Sequence, residues 1–348
     1  MTRFAWLQSR TQTLVVAATL AALAVLAAIT GVQLSHLYSS LVAHCQSGCN
    51  IAVNEFLSRD HFLQNLFDIV AMVAPALFGI FWGAPLIARE LEAGTHRLAW
   101  TQGITRSRWV LTKLAMGALA TAVAAGALTL TITWWYRAPD AVGTNQYAVF
   151  ERRDIAPIAY AVFAFAAGAL IGALLRRTVP AMAGTLGVYV FARIATTMWI
   201  RPHLLSPSHA STSLLDTDGF GFVSRNGGPI TLAARGAAPD NAWGISSQFV
   251  TSSGDHATSA QLAAFVHDHC PGIAGPPQGP PTGKAFARAA DPATFEACRA
   301  RAAQAFHLLI TYQPAGRYWT FQWLEAGIFL VLAVFAVLGC YWWVTKRS

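Results

Sequence analysis

The chain has 348 residues, 55% of them hydrophobic and only 11% charged, against about 25% charged in a typical soluble domain. Its mean hydropathy is +0.43, which excludes an ordinary soluble enzyme. The net charge of +8 signals nucleic-acid binding only if the basic residues cluster for it, and here they segregate by membrane side instead.

Six stretches, 13–32, 69–88, 114–136, 155–175, 178–200 and 326–345, are long and apolar enough to cross a hydrocarbon core, which takes about 20 residues. Only the fifth carries a charge, Arg193. Backbone groups in lipid must be satisfied within the segment, and the runs are too uniformly apolar for barrel strands, so helices are predicted. The fold class is an all-α polytopic membrane protein with six transmembrane helices. The first run follows Arg3 and Arg10, as a secretory signal would, but its length fits a span better.

With the N-terminus cytoplasmic, eleven basic residues (Arg3, Arg10, Arg89, Arg97, Arg106, Arg108, Lys113, Arg176, Arg177, Lys346 and Arg347) lie inside. The short outer loops hold four: Arg59, Arg137, Arg152 and Arg153. The positive-inside rule therefore puts both termini in the cytoplasm. Of the 16 acidic residues only Glu90 and Glu92 face the cytoplasm in this topology. Residues 1–200 then hold the first five helices with a short cytoplasmic helix at 89–106; residues 201–320 form a large extracytoplasmic insertion; residues 321–348 hold the sixth helix and a short cytoplasmic tail.

In chain order, the first outer loop carries Cys45 and Cys49. With Cys270 and Cys298 they make four cysteines on the oxidising side, where disulfides persist. Of the three possible pairings, Cys45 with Cys49 and Cys270 with Cys298 is preferred, a bridge between the loops being the alternative. Cys340, inside the last run, reads as a small buried apolar residue.

The second run places Phe78, Phe81 and Trp82 between Pro75 and Pro85, where packing alone accounts for them. It leads into "RELEAGTHRLAWTQGITRSRW", residues 89–109. Glu90 and Glu92 would lie in the first turn of a short helix, where the dipole favours acids, with Arg97 further on. Gln102 and Gly103 end that helix and Thr105 caps the next. A solvated charged turn is the plainer alternative. In the fourth run, Gly168 and Gly172 form a small-residue contact motif.

Asp68, Arg193 and Glu325 fall near the outer ends of spans, either as interfacial anchors or, for Arg193 and Glu325, as an outer gate. Trp134, Trp135, Trp199, Trp319, Trp323, Trp342 and Trp343 fit an interfacial belt. Within the insertion, 259–269 and 291–312 have helical apolar spacing, the latter opening on Asp291 as N-cap and Pro292. The sequence "HDHC" at 267–270 lacks the spacing of a closed zinc site, so no metal is predicted. "GPPTGKA", 279–285, has one residue too few between its glycines and Ala where Ser or Thr should bind magnesium, so it is no phosphate loop.

The register Glu90, Glu92, Gly94, Thr95, Leu98, Ile104, Thr105, Arg106 and Lys113 resembles the hallmark of type-two ABC exporter permeases, with Gly103 where that family has proline. Trp100, Thr101 and Gln102 resemble an actinobacterial branch of it. The resemblance implies a permease subunit that binds no cofactor itself. Two copies would sit on two separate ATPase subunits that use ATP and magnesium. The cytoplasmic helix would be a coupling helix, with Glu90, Glu92, Gly94, Thr95, Arg97 and Arg106 as its docking residues. Phe78, Phe81, Trp82, Arg193 and Glu325 become candidates for the path or outer gate, and drugs, antibiotics or lipids for the substrate. It implies a homodimer in the bacterial cell membrane, with no nucleic-acid partner. The competing reading is a membrane-anchored sensor that binds ligand through its extracytoplasmic domain.

Overall fold

The structure is a computed structural model. It describes residues 2–43, 45, 49–59, 61–94, 105–142, 145–217, 219–225, 228–234, 236, 238–239, 241–273, 284–287 and 291–346. The chain forms two compact units, Met1–Leu204 with Tyr318–Ser348, and Leu205–Arg317. The second unit thus starts and ends a few residues inside the expected 201–320.

Among the described residues, six helical segments are long and apolar enough to cross a membrane: Thr13–Leu41, His61–Glu92, Arg106–Trp135, Ala156–Leu175, Thr178–His203 and Ala315–Lys346, the last belonging to the first unit from Tyr318 onward. The fourth is the hub, with most of its residues buried, whereas the first is largely exposed. Its many alanines and two glycines let neighbours approach closely, which is how helices associate where lipid supplies no hydrophobic contrast. A Cβ on Gly83 would come within 2.4 Å of the Phe165 carbonyl oxygen, and one on Gly168 within 2.6 Å of the Gly79 carbonyl oxygen. The second and fourth spans therefore cross in backbone contact. Pro75 and a π turn at Gly79–Gly83 break the second span's regularity just where the crossing lies.

Five tryptophans of the expected belt are well exposed, Trp134, Trp199, Trp319, Trp323 and Trp342. Trp135 departs from it. It is buried against Phe67 and Tyr136 and donates its indole N–H to Thr30 Oγ1 at 3.0 Å, holding the first span to the third.

Among its described residues the second unit forms two three-stranded antiparallel sheets. One has the order β1 (Ser208–Ser213), β6 (Phe306–Gln313), β4 (Trp243–Thr251). The other runs β3 (Thr231–Ala233), β2 (Gly221–Arg225), β5 (Lys284–Ala287). Helices Ser259–His269 and Pro292–Ala305 complete it, the first with a capping box between Thr258 and Gln261, the second capped by Asp291. Residues 306–312, expected to continue the second helix, form β6 instead. Phe306, Leu308 and Ile310 alternate inward with period two, and pairing on both sides outweighs the helical spacing of the same apolar residues. Cys270 and Cys298 are bonded and buried, tying the two helices, and Cys45 is bonded to Cys49. Cys340 is buried with its thiol directed at the Ala169 carbonyl.

Candidate functional site

Candidate residues collect at two opposite ends of the membrane unit. At one end the second span finishes as the helix Ala84–Glu92, with Ala93 as its C-cap and Gly94 at φ +70° beyond it. A left-handed residue after the last turn is the usual helix terminator, and glycine adopts it without steric cost. This corrects the sequence reading. Glu90 and Glu92 lie in the last turn of the second span's helix, not in the first turn of a separate one, so the dipole of their own helix opposes them. Thr95 and Arg97 lie outside the described residues, as does the rest of 95–104 and most of the 279–285 glycine segment.

Both acids find partners on other helices. Glu90 is buried and paired with Lys113 of the third span, whose ammonium also lies 4.8 Å from the Trp109 ring centroid. Glu92 accepts two hydrogen bonds from Thr178, at the start of the fifth span, through the backbone N–H at 3.0 Å and the hydroxyl at 2.7 Å. Arg106 opens the third span's helix, exposed, with Thr105 capping that helix through Arg108 N–H.

At the other end Arg193 and Glu325 do meet, at 3.1 Å, but as part of a larger cluster. Glu325 is fully buried on the sixth span. Its carboxylate also accepts the Tyr160 hydroxyl, Arg201 Nε at 2.7 Å and Arg201 Nη2 at 2.8 Å. Glu151, in the loop between the third and fourth spans, pairs with both arginines, Arg193 at 2.6 Å and Arg201 at 2.8 Å, and accepts from Thr197 at 3.0 Å. Burial alone would raise the Glu151 carboxyl, but the two guanidiniums and the hydrogen bonds from Thr197 and Arg201 outweigh it and hold the group below the ordinary carboxylate range.

Arg193 and Arg201 are eight residues apart, which on a regular helix leaves them about 80° apart. The wider π turn Thr196–Ile200 between them takes up that difference and lets both face Glu325. Glu151, Arg201 and Tyr160 were not expected from sequence. The usable signal was the Arg193 and Arg201 spacing in an otherwise apolar helix.

A second polar group at this end joins Asp68 to Arg152 and to the Tyr136 hydroxyl, the latter at 2.8 Å. Gln322 caps the fourth span, accepting the Ala156 N–H at 2.8 Å and donating to the Phe150 carbonyl at 3.0 Å.

The aromatic candidates do not converge. Phe78 and Trp82 pack together, ring centroids 5.2 Å apart, against Ala124, Ala125 and Ala161, whereas Phe81 is 51% exposed. Phe78 also borders a small cavity with Ala71, Pro75, Leu128, Thr129 and Arg152. In the second unit, Cys270 is taken by its disulfide and His267 pairs with Asp268 at 2.8 Å, so "HDHC" does not gather as a ligand set.

A family model described as ABC-2 membrane transporter related matches residues 17–201, just over half of the chain. The chain belongs to this family. No curated protein and no solved structure matches it. As an ABC-2-type permease it is a multi-pass membrane protein, the membrane-spanning subunit of an ABC transporter, working with an ABC ATPase. The matched region takes in the second to fourth spans, all but the ends of the first and fifth, the Glu90 and Glu92 contacts, Glu151 and both arginines.

Proposed function

We propose that this ABC-2-type permease is the translocating subunit of an ATP-driven exporter, paired as a homodimer and docked on two separately encoded ATPase subunits through residues 89–106. ATP and magnesium belong to the ATPase, and the substrate is an apolar or amphipathic small molecule. Both termini are cytoplasmic, in line with the eleven basic residues assigned to that side. The cluster of Arg193, Arg201, Glu151 and Glu325 closes the outer end of the path, and residues 205–317 stand outside the cell.

The observation that carries this reading is the placing of Glu90 and Lys113. A buried ion pair fastens the second span to the third just where the chain leaves one at Gly94 and enters the other at Arg106. A partner acting on the connecting residues thus acts on a rigid two-helix end. The test is to co-express the chain with an ABC ATPase encoded beside it. A stable complex is expected, with transport-coupled ATP hydrolysis falling when Glu90 and Glu92 are both reversed to Lys. Absence of a complex, or coupled transport untouched by the reversal, would refute the reading.

The separate core of residues 205–317, centred on Leu214, Phe222, Leu262 and Leu308, is what favours a sensor instead. A sensor would bind its ligand in the full chain whether or not an ATPase is present.

A further inference from the structure

The contact between Glu92 and Thr178 is made between two spans far apart in sequence. The fifth span's helix begins at Thr178, and its flanking residue Arg177 makes no side-chain cap. The first N–H groups of any helix lack partners inside it. Here the first of them, together with the Thr178 hydroxyl, is taken by a carboxylate from the second span. Negative charge at that position also suits the positive end of the fifth span's dipole, which compensates for its unfavourable place at the end of its own helix.

Glu90 and Glu92 are two residues apart, about 200° around the helix. They therefore reach opposite neighbours, Lys113 of the third span and Thr178 of the fifth. The turn feeding the fifth span is short, Arg176 and Arg177, and Arg176 is fixed in the left-handed region at φ 55° with its N–H on the Gly172 carbonyl. A short, braced turn gives the fifth span's start little slack of its own.

We propose that Glu92 is a positioning residue that caps the fifth span from outside, so that a displacement applied to the chain beyond Gly94 moves the second and fifth spans together. The proposal rests on the docking reading above and names the link by which that docking reaches the fifth span.

The test uses the full chain with its ATPase, comparing transport per ATP hydrolysed in Glu92→Ala, Thr178→Val, the double variant and Thr178→Ser. Glu92→Ala and Thr178→Val are each expected to lower transport per ATP by about tenfold, the usual size of a coupling between sites. ATPase should still co-purify with them, the double variant should be no worse than Glu92→Ala, and Thr178→Ser, which keeps both donors, should behave as the parent chain. Cysteine-attached spin labels at Ala93 and Val179, read in the reconstituted chain alone, should move apart in Glu92→Ala and stay in place in Thr178→Ser. Multiplying defects in the double variant, unchanged transport in both single variants, or an unchanged label distance overturns the proposal. Loss of ATPase binding in Glu92→Ala but not in Thr178→Val makes Glu92 a direct ATPase contact and also overturns it. If the parent chain binds no ATPase, the docking reading fails, while the label distance still decides whether Glu92 holds the fifth span.

Discussion

Arg201 grips Glu325 with two parallel contacts, Nε to Oε2 at 2.7 Å and Nη2 to Oε1 at 2.8 Å, with the carboxylate fully buried. This forked geometry is the strongest an arginine makes with a carboxylate. Each ion loses several kcal/mol of hydration on burial, which only a complete set of partners restores. Glu325→Ala leaves Arg193 and Arg201 only the partly exposed Glu151 in place of a fully buried carboxylate, and the expected loss is about 3–5 kcal/mol, the usual cost of stranding a member of a buried pair. Thermal unfolding of the purified chain in detergent measures it, and an unchanged midpoint would show that Glu151 alone satisfies both arginines.

Glu151 makes the same cluster sensitive to acid. Its folded-state pKa is below its ordinary value, so its stabilising effect is present above the ordinary carboxylate range and fades as pH falls through the lowered folded value. The parent chain should be more stable than Glu151→Gln near neutral pH, and the two curves should converge in acid. Unfolding midpoints across pH 3 to 7, roughly the window in which carboxylates titrate, measure this. A gap that widens in acid contradicts the sign.

The crossing of the second and fourth spans tolerates no side chain at Gly83, because the added carbon would meet the Phe165 carbonyl at 2.4 Å. Gly83→Ala should destabilise the membrane unit by about 1–3 kcal/mol, as overpacking does. Gly187, in the fifth span, has nothing within 4 Å of the same added carbon. Gly187→Ala should be neutral or slightly stabilising, since alanine is the better helix former. Equal effects of the two changes in unfolding experiments would contradict the close crossing.

In the unit 205–317, the bridge between Cys270 and Cys298 closes a loop over a separation of 28 residues. Replacing both by Ser should cost that unit about 3–4 kcal/mol on the chain-entropy estimate. Hydrogen exchange of helix Ser259–His269 in the full chain reads this locally. Protection equal to that of the parent would mean that the Leu262 and Val266 packing holds the helix without the bridge.

Much of the architecture is legible in the amino-acid order because it depends on quantities local to the chain. The six spans follow from uninterrupted apolar length, since a membrane requires helices of that length whatever they pack against. Cys45 with Cys49 is a short-range pair, and the caps at Thr105 and Asp291 depend on the following turn alone. The register from Glu90 to Lys113 carries the family resemblance in the order of residues alone.

Tertiary structure alone decided what those residues do. Glu90 and Glu92 are two positions apart in one helical turn, yet one is buried against the third span and the other caps the fifth, a difference set by which helices stand on either side. Trp135 looks like its interfacial neighbour Trp134 in sequence and is buried because Phe67 and Thr30 come to meet it. Residues 306–312 carry both a helical and an alternating pattern, and two long-range strand partners settled the choice. Glu325 and Arg193 are 132 positions apart, and their joining with Glu151 and Arg201 needed a π turn that no local propensity announces. Span count is a property of composition along the chain; partnership among the few charges inside it is a property of packing, because a buried ion is stable only where distant residues complete its shell.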